Sequence, residues 1–135
     1  MSHFTKIKTK FQDGVILKKL LEAMAYNVKT HDTPVTISGY NGETEKANIV
    51  VSKDQFGGYS DLGYRKEDKA FEELIDSDDR TKVFRPCGGS NRFKMKYSTE
   101  VVLKEHNRLQ GRISTTQKDM ENGNILVETV AMVEN

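Results

Sequence analysis

The sequence predicts an α+β fold: an antiparallel-rich sheet with two helices packed on one face. Three observations lead there. The chain opens with a strand period that runs straight into a helical one. A series of short strand-like segments broken by turn residues follows, and a second long helical stretch comes late. The strand–helix–strand opening implies a right-handed crossover. The simplest plan that accommodates the rest is ferredoxin-like, a split βαβ arrangement with additional central strands. At 135 residues the chain is expected to form a single domain, 1–135, large enough to bury its own core.

In the opening segment Thr5, Ile7, Thr9 and Phe11 share one face at a two-residue period, with Lys6, Lys8 and Lys10 on the other. That is the pattern of a half-buried strand, and a place in the sheet interior would make Ile7 and Phe11 core residues. Asp13 then supplies an N-cap. Ile16, Leu17, Leu20, Leu21 and Met24 form a stripe at helical spacing, with Lys18, Lys19 and Glu22 outside it. "YNVKTH", "PVTISGY", "ANIVVSK" and "YSDLGYR" read as short strands, and Asn41-Gly42 as a turn that takes positive φ readily. Over 70–76 two periods compete. Phe71, Leu74 and Ile75 fit a helix, whereas the short length and polar flanks fit a strand. Residues 77–91 read as a long polar loop. It leads into a helix over "RFKMKYSTEVVLKEHNRLQ", capped by Ser90 or Asn91 and stopped at Gly111. "GRISTTQ" and "NILVETVAMV" are expected to close the chain as a hairpin.

Composition narrows the function classes. The 21 basic and 20 acidic side chains leave a net charge of +1, too little to steer the whole molecule towards nucleic acid or an anionic membrane. A single cysteine, Cys87, excludes an internal disulfide framework and any two-cysteine metal or redox motif, and it fits a reducing compartment. No run approaches the roughly 18 apolar residues that span a bilayer, and "MSHFTKIKTK" has no apolar signal core. The expected location is the cytoplasm, or an organelle that makes the protein locally.

The opening "MSHFTKIKT", running into "LKKLLEAMAY", resembles the plastid hypothetical open-reading-frame thirty-five family of plastids and cyanobacteria, classed as a domain of unknown function. "GYNGE" is similar to that family's Gly-Tyr-x-Gly turn, and "YSDLGYR" to its Tyr-Asp-aliphatic-Gly-aromatic strand. "FEELID" sits where members carry an aromatic-Glu-Leu-aliphatic-x-Asp stretch, and "MKYSTEVVLKE" with "LQGRIS" echoes the closing helix and strand. Ala25 stands where a glycine usually precedes Tyr26. The resemblance implies an α+β fold, a location in the cytoplasm or the plastid stroma, and no established activity. It draws 70–76 towards strand. Members are often encoded beside an AAA-type ATPase, which implies an accessory role.

Candidate chemistry is sparse. His3, His31 and His106 lack partners at metal-ligand spacing, so no metal site or cofactor is expected. "DSDDRTKVFRPC" begins like a calcium loop but places Thr81 where glycine is needed and Cys87 where glutamate is needed. No catalytic constellation emerges around Cys87, Glu72, Glu73 or Asp76, and the chain is not expected to be an enzyme. In "RPCGGSNRF", Gly88, Gly89 and Ser90 lead into a helix N-terminus with Arg85 and Arg92 nearby, a combination able to hold an anion. A flexible connection with a capping serine explains the same residues. Lys6, Lys8, Lys10, Lys18 and Lys19 could form a basic patch, or a lysine face that guards the sheet against edge pairing.

The function expected from these features is that of a small adaptor or accessory protein that binds another protein without turnover. Its contact surface would be a sheet region around Tyr40, Tyr59 and Tyr64, or the 77–91 loop. The alternative is a weak RNA- or anion-binding module that uses the basic N-terminal face or residues 85–92.

Overall fold

The computed structural model describes residues 3–119, with side chains as far as 111. By internal contacts the chain divides into a unit of residues 1–97 and a second that begins at Ser98. The first unit holds the sheet, two helices and the opening turns of a third.

The first strand, β1 (Phe4–Lys8), has the alternation expected of it. Helix α1 (Gly14–Ala23) follows, and Asp13 caps it as its position predicts, its carboxylate accepting from the amides of Val15 and Ile16 at 2.9 and 3.2 Å. Leu17 and Leu21 of the apolar stripe are fully buried, each contributing on the order of 2 kcal/mol of transfer free energy. Two of the expected strands merge into one long β2 (Val28–Ser38), which turns at Tyr40–Gly42 into β3 (Thr44–Val51). Strands β4 (Leu62–Lys66) and β5 (Phe71–Asp76) form the next hairpin. Residues 71–76 are therefore strand. Phe71 and Ile75 are buried on one side of the sheet and Leu74 on the other, and this two-sided burial is why a helical count also fits them.

Among the described residues all pairings are antiparallel and the order is β1-β5-β4-β3-β2. β1 is an edge strand, not the interior strand that its apolar face suggests. Ile7 accordingly is half-buried, while Phe11 lies in the core. On the inner side of the sheet Ile49, Val51, Leu62, Tyr64, Phe71 and Ile75 pack with the α1 stripe and with Phe93 and Tyr97. Phe11 joins these layers, meeting Tyr64, Phe93 and Tyr97 with ring centroids 6.1, 5.8 and 4.5 Å away.

The β2–β3 hairpin is bent. Its register slips between Thr30 and Val35, and only Ile49–Val51 of β3 pairs with β4. The outer half, Val35–Ser38 with Thr44–Ala47, folds over the outer side of the sheet. Ile37 and Ala47 pack there on Leu74 and Phe4, with Val50 alongside. Gly63 lies beneath them: a Cβ at this position would come within 2.6 Å of Ala47 Cβ and 2.7 Å of Ile37 Cδ1. Asn48 holds the corner. Its Nδ2 donates to the carbonyls of His31 and Asp32, both at 3.1 Å, and its Oδ1 accepts from Lys66 N at 2.8 Å. A side-chain amide thus takes over the backbone pairing where the ladder parts.

The 77–91 segment is not the long loop that its polar composition suggests. It contains helix α2 (Arg80–Phe84) and a 3₁₀ turn at Arg85–Cys87. Val83 and Phe84 are fully buried, and that burial orders the segment. Gly88 and Gly89 then turn with φ of 101° and 112°, values open mainly to glycine. The last helix, α3 (Ser90–Asp119), begins within a residue or two of the expected start, but Gly89, whose carbonyl accepts from Phe93 N at 3.0 Å, precedes it in place of a Ser90 or Asn91 cap, and it continues past Gly111. "GRISTTQ" is helical as far as the first residues after it, and "NILVETVAMV" lies outside the described residues.

Candidate functional site

Tyr40 and Tyr59 come together although 18 residues lie between them in the chain. Tyr40 sits in the 3₁₀ turn at the hairpin tip, and Tyr59 in the segment before β4. Their rings lie 5.5 Å apart, tilted by 48°, and remain 44% and 49% exposed. Lys82 Nζ lies over the Tyr59 ring, 4.9 Å from its centroid. The support beneath is rigid. Ser38 and Asp61 exchange backbone and side-chain hydrogen bonds at 2.9 Å, and Asp79 Oδ2 accepts from the amides of Tyr59 and Ser60 at 2.7 and 2.8 Å. The fold-over of the hairpin is what delivers Tyr40 to Tyr59. Lys82 escaped the sequence reading because helix α2 that carries it was not legible there.

Tyr64 does not belong to this surface. It is fully buried on the inner side of the sheet, and its hydroxyl donates to Glu73 Oε1 at 2.8 Å. Arg80 pairs with the other Glu73 oxygen, and its guanidinium carbon lies 5.8 Å from the Phe84 ring centre. Burial, and after it the charge and hydrogen bond of Glu73, push the Tyr64 hydroxyl well above the ordinary tyrosine range, against a smaller opposing effect of Arg80. The alternation of Leu62 and Tyr64 with Gly63 and Arg65 is the signal that places Tyr64 inside. Glu73 is thus committed to an internal ion pair, and Cys87 donates to the carbonyls of Phe84 and Gly89 at 3.2 and 3.4 Å. Asp76 and Asp79 are fully buried, and each keeps one carboxylate oxygen, Oδ2 and Oδ1 respectively, without a hydrogen-bond partner. Among the described residues no group of three or more His, Cys, Asp or Glu side chains is placed to hold a metal ion.

Arg85, Gly88, Gly89, Ser90 and Arg92 follow one another through the tight turn that leads into α3. The turn uses much of its own donor capacity: Gly88 N donates to Arg85 O at 3.0 Å and Gly89 N to Phe84 O at 2.9 Å. The Arg92 side chain packs beside Gly88. The basic residues do not form one patch. Lys6 and Lys8 leave the sheet on its outer side, with Lys10 exposed beyond them, whereas Lys18 and Lys19 sit on α1, which packs on the inner side. Lys6 Nζ is 3.2 Å from Glu45. Nearby, Arg65 is paired with Glu45, Glu67 and Glu72. Burial opposes its charge, but these three carboxylates outweigh it and hold the guanidinium above its ordinary value.

No helix among the described residues is long and apolar enough to cross a membrane. The model of a family described as "Protein of unknown function (DUF1257)" matches residues 20–127. An uncharacterised protein, ycf35, of Cyanophora paradoxa is 26% identical over 106 residues, which cover 78% of each chain. No solved structure matches the chain.

Proposed function

The chain belongs to the DUF1257 family of proteins of unknown function, and from that premise we propose that it is an accessory protein that binds another protein without turnover. The observation that carries this reading is the Tyr40–Tyr59 pair: two large side chains, half exposed, fixed on a rigid base with Lys82 beside them. Exposed aromatics that need no ordering on binding lose little entropy, the property of residues that anchor interfaces. The first partner to test is an AAA-type ATPase, following the resemblance in the sequence. The cytoplasm or the plastid stroma is its place of action. We read the β1–α1–β2 crossover, whose strands lie at the two edges of the sheet with β3, β4 and β5 between them, as a distant variant of the split βαβ plan, and it carries no activity.

The test is retention of a purified AAA-type ATPase, and of proteins from native extract, on immobilised protein. Tyr40→Ser combined with Tyr59→Ser is expected to reduce retention at least tenfold, the loss of about 1.4 kcal/mol from an interface anchor, with an unchanged melting temperature. Retention that survives moderate salt is expected. Retention that collapses between low and moderate salt and ignores both tyrosines would favour RNA or anion binding instead.

A further inference from the structure

β1 is an edge strand, and its register assigns each of its backbone groups to one side. His3 O accepts from Ser77 N and Thr9 N donates to Phe71 O, so the odd-numbered residues turn their backbone groups towards β5. Phe4, Lys6 and Lys8 turn theirs away from the sheet. The outward amide of Phe4 donates to the Glu43 carboxylate at 2.7 Å, and Lys6 Nζ lies 3.2 Å from Glu45. The chain's own Glu43-Thr44-Glu45, two acids at the period of extended backbone, therefore lies against the first half of this edge. The second half offers the same chemistry: outward backbone groups at Lys8 and exposed ammonium groups at Lys8 and Lys10. Lys8 faces Glu72 across the β1–β5 pair, but Glu72 is engaged by Arg65.

Charge selects the occupant. Two copies of this edge pairing with each other would bring Lys6, Lys8 and Lys10 against lysines, which disfavours a second copy. An acidic strand is favoured, as Glu43 and Glu45 already illustrate. We propose that the β1 edge at Lys6 and Lys8 takes up an extended acidic segment of a partner protein as an added strand, with one carboxylate on Lys8 and the next reaching Lys10 just beyond the end of the strand. The adjoining groove, about 500 Å³ in volume, carries Glu67 and Asp68 besides Lys8, Lys69, Phe71 and the Arg65-paired Glu72. Glu67 and Asp68 repel a segment that overshoots in their direction, and so set its register. This surface is independent of Tyr40 and Tyr59, so the double serine variant is expected to bind the acidic segment unchanged.

The experiment uses the full chain and a labelled twelve-residue peptide (about 40 Å when extended) with glutamate at alternate positions and threonine or valine between. Fluorescence anisotropy is expected to show saturable binding. Lys8→Glu with Lys10→Glu should weaken it about tenfold, as should methylation of alternate peptide amides, which blocks strand pairing and keeps the charge. Amide exchange at Lys6 and Lys8 should slow when the peptide binds. Absence of binding overturns the proposal. So does equal binding of the methylated peptide, or displacement by oligouridylate with no change in exchange at Lys6 and Lys8, since either outcome means an unstructured cationic face. Protection at Lys6 and Lys8 that grows with protein concentration in the absence of peptide would identify a second copy as the occupant and also overturn it.

Discussion

Tyr64 and Glu73 stand opposite each other in the β4–β5 register, and Arg80 closes the group from α2. Tyr64→Phe keeps the ring but leaves Glu73 Oε1 buried without its donor, a cost of about 1–3 kcal/mol at neutral pH. The same contact makes stability depend on alkaline pH. The folded state holds the Tyr64 proton above the ordinary tyrosine value of about 10, so unfolding releases it once the pH passes that value. This stabilisation is complete below pH ~10 and is lost as the pH rises further. Urea titrations from neutral to alkaline pH should show a flatter decline for Tyr64→Phe than for the parent. Parallel declines would mean that the hydroxyl is not linked to folding. At this scale the sequence is half legible: alternation in "LGYRK" puts Tyr64 inside, but nothing local names Glu73 and Arg80 as its partners.

Helix α1 ends in a Schellman motif, with Ala25 N donating to Glu22 O at 2.9 Å and Tyr26 N to Leu21 O at 3.4 Å. The motif needs a left-handed residue, and Ala25 takes that role with φ of 68°. The left-handed conformation costs an L-residue roughly 1–2 kcal/mol, and glycine's extra unfolded-state entropy returns part of it. Ala25→Gly is therefore expected to raise stability by about 0.5–1 kcal/mol, read as a melting temperature higher by a few degrees. A lower melting temperature would show that the Ala25 methyl group is needed where it sits. Other elements show where local reading fails. Helix α2 is five residues long, too short to display a period, and it exists because Val83 and Phe84 are buried. Gly111 does not end α3, because one glycine costs a helix only about 1 kcal/mol.

For the first unit as a whole, the decisive feature is the hairpin that folds over the outer side of the sheet. Asn48 serves three backbone groups on two strands at that corner. Asn48→Ala should cost on the order of 2–4 kcal/mol. Its effect should also be local: faster amide exchange at 35–38 and 44–47, with α1 and the β4–β5 pair unaffected. Uniform acceleration across the unit would show that the fold-over is not a separable step. This bend also builds the tyrosine surface, since Tyr40 rides on the hairpin tip.

What the sequence by itself determined is what a few neighbouring residues can encode. The Asp13 cap, the α1 stripe and the α+β class follow from period and cap chemistry within one turn or one pleat, whereas at 71–76 period alone left helix and strand open. The tertiary structure alone decided the edge position of β1, the burial of Glu73 with Arg80, and the meeting of Tyr40 with Tyr59. The physical reason is that periodicity marks which face of a strand is apolar but not which partner covers it. Ile37 and Ala47 look like ordinary strand residues until Leu74, Phe4 and the bare backbone of Gly63 give them a second surface to bury.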